Sequence, residues 1–250
     1  MHSQAEVNHL LLDTLRVAVK RYPLVTPLLT GRARWMACAW GARVEVKNYA
    51  DFLSRVKGLI RGVYSGAIGG SFIDSMAALV SRQISLAYQN AWRDEGIEGE
   101  KMPGYLTESA ESLILEQYDF VDGFYRDIVD ARVDKSPLDG LYSRAEMWAA
   151  RFNEAYNEAV TQITLANGGK LVWELGATEQ HCVTCSELNG KVAFASQWEQ
   201  SGLKPQSAPN DGLQCQGWHC DCALTPTDAR RTKKVMDKLR KIAERRDGAR

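Results

Sequence analysis

The residues best equipped for chemistry are five cysteines in two short clusters, "HCVTCSELNG" at 181–190 and "CQGWHCDC" at 215–222. Their spacing is C-x2-C-x29-C-x4-C-x-C, with His219 directly before Cys220. A C-x2-C turn aims two thiolates at one point. A second cluster brought beside it completes the tetrahedral set of soft donors that Zn2+ prefers, each at about 2.3 Å. Four of Cys182, Cys185, Cys215, Cys220 and Cys222 are therefore expected to hold a structural Zn2+. Cys182 and Cys185 form the firm pair and Cys215 joins them. Cys220 and Cys222 compete for the last place, because the thiols of a C-x-C point to opposite sides of an extended segment. His181 and His219 also carry ligand nitrogens.

Other chemistries fit less well. A C-x2-C redox couple calls for a thioredoxin-like βαβ setting, and nothing upstream of Cys182 supplies one. A cysteine nucleophile paired with His181 or His219 needs a third group to orient the base. A zinc module that reads DNA threads basic residues through its finger, whereas Lys191 and Lys204 are the only basic residues between Cys182 and Cys222. A catalytic Zn2+ keeps an open position beside three protein ligands, and the wealth of thiols here points instead to a closed site. A zinc- or cysteine-dependent hydrolase, nuclease or peptidase, is the alternative function; a non-enzymatic role is the expectation. "AIGGSF" at 67–72 leads into a helix, but it lacks both G-x-G-x-x-G spacing and a following Lys-Ser/Thr. It is read as a close helix approach or as a turn that starts a helix.

The elements that must position these thiols are mostly helical. Tyr49, Phe52, Leu53, Val56, Ile60 and Val63 recur at three- and four-residue steps and share one helix face. Phe72, Met76, Leu79, Val80, Ile84, Tyr88 and Trp92 repeat the pattern, and "DEGIEGEKMPG" ends that helix. A third helix is expected over 107–133, on Leu113, Tyr118, Val121, Phe124, Tyr125 and Ile128. A fourth starts near Leu141, carries Ala145, Trp148, Phe152, Tyr156, Ala159, Val160 and Ile163, and stops at "ANGGK". After Gly169, "KLVWEL" and "KVAFAS" read as strands, "SQWEQSGL" as a helical turn and "KPQSAPNDGL" as loop. From Asp228 the helical pattern returns on Val235, Met236, Leu239, Ile242 and Ala243, with Thr227 or Asp228 as N-cap.

The expected fold class is thus mainly α (α+β). A helical body spans 1–169, a zinc-stapled β-hairpin module spans 170–226, and a basic amphipathic helix spans 227–250. Cys38 stands apart from the clusters and is read as a buried small apolar side chain.

The 250 residues carry 31 basic and 31 acidic side chains and 45% hydrophobic residues, an ordinary soluble balance. That balance hides an asymmetry: residues 228–250 hold ten Lys/Arg against four Asp/Glu. The basic end can meet an acidic partner surface, nucleic acid or only water. No apolar run approaches the roughly 18 to 20 residues that span a bilayer, and "MHSQAEVNHLLLDTLRVAVKRYP" is unlike a signal peptide. The expectation is a chain kept in a reducing cytoplasm, where clustered cysteines hold metal more often than they form disulfides.

The stretch from "VWELGATEQHCVTCSELNGKV" to "CQGWHCDCALTP" resembles the C-terminal signature of phage minor head proteins, the head morphogenesis proteins of the Mu F-like family. Trp173 matches the signature Trp in a strand, and Cys182 and Cys185 the first pair. Leu188 and Gly190 match a Leu-x-Gly, and Pro209 the loop proline. Cys220 and Cys222 match the C-x-C close and Pro226 the proline after it. The common form has a histidine three residues before that C-x-C. Gly217 stands there in this chain, and Cys215 takes the histidine's part. The resemblance is strong over about a quarter of the chain, and "RAEMWAARFNEAYNEA" extends it weakly into the helical body. It implies a non-catalytic virion protein that associates with the portal and with capsid or scaffold proteins and helps head assembly, DNA packaging or delivery. Such a protein resides in the host bacterial cytoplasm during assembly and in the virion head afterwards. The basic C-terminal helix would make any DNA contact.

Overall fold

The computed structural model describes residues 46, 48–96, 101–177, 180–218 and 220–244. Among the described residues there are seven helices and one small antiparallel sheet, so the chain is mainly helical. Cys38 and His219 lie outside the described residues. Four long helices come first: α1 (Tyr49–Ser65), α2 (Ser71–Asp94), α3 (Gly104–Val133) and α4 (Asp139–Ala166). After them follow β1 (Lys170–Glu174), α5 (Val183–Leu188), β2 (Val192–Phe194), α6 (Ala195–Ser201), β3 (Ala223–Pro226) and α7 (Val235–Glu244). The chain divides into two compact units. One holds the described residues up to Leu86 together with Glu108–Ala150; the other holds the described residues of Ala87–Thr107 and Arg151–Arg250.

In the first unit the apolar stripes become the core. Asn48 caps α1 by accepting a hydrogen bond from the Asp51 amide at 2.9 Å, and Gly66 closes the helix in the left-handed region. Phe52, Val56, Ile60 and Val63 are buried as their spacing predicts, while Tyr49 is exposed. The turn before α2 is closed by the Phe72 and Ile73 amides on the Gly69 and Gly70 carbonyls. Phe72 then stacks on Tyr125 and meets Phe124 edge-on, at 5.6 and 6.1 Å between ring centres. Fully burying one such ring contributes about 2–3 kcal/mol. Along α3 the buried face also takes in the polar Glu111 and Gln117, and Leu113, Tyr118 and Tyr125 are only half-buried. Gln83 answers a similar burial by donating to the Ala149 carbonyl at 2.8 Å.

The second unit contains the sheet. Its strand order is β2-β1-β3, with both neighbours antiparallel to β1. The two-stranded hairpin expected from sequence is therefore one strand short: "ALTP" adds β3, with Trp173 opposite Leu224. Leu171 and Trp173 are fully buried on one side of β1, where Trp173 lies 5.7 Å from Trp198 of α6. The Trp198 indole donates to the Leu171 carbonyl at 3.0 Å, so its one polar atom is satisfied in the core.

α7 begins at Val235, not at Asp228. The intervening segment is not helical and is bonded to the sheet instead. The Thr227 amide donates to the Lys170 carbonyl, and Lys170 Nζ donates to the Asp228 and Ala229 carbonyls. Thr232 exchanges two hydrogen bonds with the backbone of Val192, at 2.9 and 3.0 Å. Bonds to the sheet thus use the backbone groups that an earlier helix start would have needed. α7 packs beside α6, with Val235 and Leu239 buried and Lys238, Arg240 and Lys241 exposed.

Candidate metal centre

The C-x2-C pair is set by α5. Cys182 is its N-cap: the backbone there is extended, and its sulfur accepts a hydrogen bond from the Cys185 amide at 3.4 Å. A helix start offers free N–H groups, and here a sulfur takes one of them where serine or aspartate commonly does. One helical turn then carries Cys185 back to the same side, fully buried at 1% exposure.

The second cluster is locked onto that turn by a reciprocal pair of bonds. The Val183 amide donates to the Gln214 side-chain oxygen at 2.9 Å, and the Gln214 amide donates to Thr184 Oγ1 at 3.1 Å. Cys215, next in the chain, is thereby placed against Cys182. Two glycines permit the remaining approach. Gly217 has φ +80°, and a Cβ there would meet the Ser207 carbonyl. At Gly176 a Cβ would collide with the backbone of Asp221, inside the C-x-C. Gln206 fixes the far end by donating its amide to the Cys222 carbonyl at 2.9 Å.

All five expected thiols converge as a result. Cys182, Cys185 and Cys215 form one group whose sulfurs lie within 4.8 Å of one another; Cys185, Cys220 and Cys222 form a second. Cys185 belongs to both. Its sulfur is 3.9 Å from that of Cys220, and Cys222 Sγ is 3.9 Å from His181 Nδ1. The sulfurs of Cys220 and Cys222 both reach Cys185, so their geometry does not choose between them. All five are free thiols; Cys185 and Cys222 are buried and the other three half-buried.

Crowding of like groups shows in their acidity. A hydrogen bond from Cys185 pulls the Cys220 thiol down to about 5, against the cost of burial. The same bond, with burial behind it, pushes Cys185 far up. Burial pushes Cys215 up to about 12 and raises Cys222 as well. Burial also opposes ionisation of Cys182, but donors from Cys185 and Cys215 more than offset it and leave that thiol below its usual value. Thiols this close cannot all ionise without a cation between them. The donor set fits that need: soft sulfurs, clustered, half-buried to buried, with the spacing of metal ligands. The cluster can hold a metal ion.

Sequence reasoning passed over Thr184, Gln214, Gln206 and Gly176. The one signal for the first two was their position, inside or next to the cysteine motifs. Among the described residues no helix is long and apolar enough to cross a membrane. Comparison with known proteins returns no match to a family model, a curated protein or a solved structure.

Proposed function

We propose that the chain is a non-catalytic phage minor head protein of the Mu F-like type, with a structural Zn2+ centre built from its clustered cysteines. One observation carries the reading: the five thiols gather at one place, inside a small β module that opens on Trp173 and closes on Pro226. Both residues belong to the signature that this stretch resembles, and Trp173 is fully buried beside Trp198. The departure from that signature is also accommodated. Gly217, where a histidine is common, sits at a positive φ against the Ser207 carbonyl, and Cys215 supplies a donor two residues earlier.

In this role the metal adds to the apolar core formed by Leu171, Trp173, Leu188, Trp198 and Leu224, and its binding energy is folding energy. The partners are the portal and the capsid or scaffold proteins. The exposed cations of α7 and of the segment before it, Arg230, Arg231, Lys233, Lys234, Lys238, Arg240 and Lys241, suit an acidic protein surface or packaged DNA. The chain would work in the host bacterial cytoplasm and end in the virion head.

Metal analysis of the purified chain tests the site. Bound zinc is expected, and Cys182→Ser and Cys215→Ser each lose both metal and cooperative unfolding; a chain that folds normally without metal ends the zinc reading. The neighbouring genes test the assembly role. A portal gene and a terminase gene close by support it, and a neighbourhood without head genes overturns it. Hydrolytic activity that disappears with the metal while the fold persists would favour the hydrolase instead.

A further inference from the structure

The cysteine cluster has more donors than one tetrahedral ion uses. A tetrahedral Zn2+ with sulfurs at about 2.3 Å requires every pair of them to be about 3.8 Å apart. Among the described residues no four thiols meet as one group. They form two groups of three that share Cys185, and within the second group the Cys185–Cys220 separation is already 3.9 Å. Charge points the same way. Five thiolates around one divalent ion leave a triple negative charge in a half-buried place. Within the motif itself Lys191 and Lys204 are the only lysines or arginines between Cys182 and Cys222, and Arg151 lies over the Trp218 ring at 6.0 Å. Lys204 is committed elsewhere, bridging Glu158 at 3.0 Å and Glu199 at 3.1 Å. A second divalent ion would remove most of that excess.

We infer that the cluster is a binuclear zinc centre in which the sulfur of Cys185 bridges the two ions. Cys182 and Cys215 complete the thiolates of one ion, which keeps a fourth position for water, and Cys220 and Cys222 complete those of the other. His181, with Nδ1 3.9 Å from Cys222 Sγ, is placed to add an imidazole to the second ion by a small movement. This inference rests on the zinc reading proposed above and goes beyond it in stoichiometry, in the bridge and in the histidine.

Native mass spectrometry of the full chain, purified with zinc and without chelator, tests the count. Two zinc ions per chain are expected. A single ion overturns the binuclear centre and leaves the zinc reading standing, whereas none overturns both. The bridge is tested in the unmutated chain loaded with 113Cd. Two resonances, split by cadmium–cadmium coupling through a shared sulfur, are expected; two uncoupled resonances rule out the bridge. His181→Asn, which leaves all five thiols in place, should shift one resonance and spare the other. If neither resonance moves, His181 is not a ligand.

Discussion

Gly217 shows how a single residue decides whether the thiols can meet. Its φ of +80° is strained for any residue with a Cβ, and the Ser207 carbonyl occupies the space that a Cβ would need. Gly217→Ala is expected to destabilise the metal-loaded module by about 1–3 kcal/mol, since both the strain and the collision must be relieved. Denaturant unfolding of the loaded protein measures this. A change within about 0.5 kcal/mol, the usual scatter of a surface substitution, would show the loop to be slack. The thiols themselves predict a pH dependence. With Cys215 at about 12 and Cys185 and Cys222 raised, these groups hold their protons at neutral pH, so zinc must displace them. Cys220, at about 5, gives up none there. Zinc addition should therefore release protons, and affinity should fall as pH drops. A weakly buffered indicator titration reads the release directly, and zinc binding without it contradicts the assignment.

At the scale of elements, the short helix α5 and the Gln214 segment act as one clamp. Thr184→Val removes one bond of the reciprocal pair and Gln214→Ala the other, yet neither touches a ligand. Each should weaken zinc affinity by about tenfold, the usual effect of losing a group that orients a ligand. Competition with a chromophoric chelator gives the number, and an unchanged affinity in both variants would show that the clamp is idle. This clamp also marks where the sequence stopped being informative. The four long helices were legible because each repeats an apolar face over many turns, as Phe52, Val56, Ile60 and Val63 do. Glu111 and Gln117 blurred the face of α3, since a search for apolar residues passes over buried polar ones. α5 has only six residues and a cysteine for its cap, so no periodicity or familiar capping residue announces it. β3 buries only Leu224 and ends on a proline, too little alternation to read as a strand. The cysteines were legible as a set because spacing alone identifies candidate ligands. Their division around Cys185 was not, because it depends on Gly176, Gln206 and Gln214, whose partners are distant in the chain.

For the molecule as a whole, the zinc centre proposed above predicts what a chelator would do. The first unit has an apolar core of its own, whereas the unit with the sheet combines the buried Leu171, Trp173, Trp198, Leu203, Leu224 and Leu239 with the cysteine cluster. Removing zinc should abolish the near-ultraviolet signal of Trp173 and Trp198 while most helical circular dichroism remains; joint loss of both would mean that the metal governs the entire fold. The basic end calls for a gentler test than truncation, because Thr227 and Thr232 are bonded to the sheet. Lys233→Glu, Lys234→Glu and Lys238→Glu together leave those bonds intact. They should weaken any DNA or acidic-partner binding and flatten its salt dependence; binding that ignores the charge reversal would exclude this surface. The Thr232 contact has one more effect. Val192 and Phe194 point their amides away from β1, and both are taken, one by Thr232 Oγ1 and the other by the Gln197 side chain. The outer margin of β2 thus offers no free donor on which a foreign strand could grow. Many proteins blunt such margins to avoid joining edge to edge. Here the guard is a threonine in what looks from sequence like the first turns of a helix, and it closes this one margin of the sheet to edge-to-edge pairing.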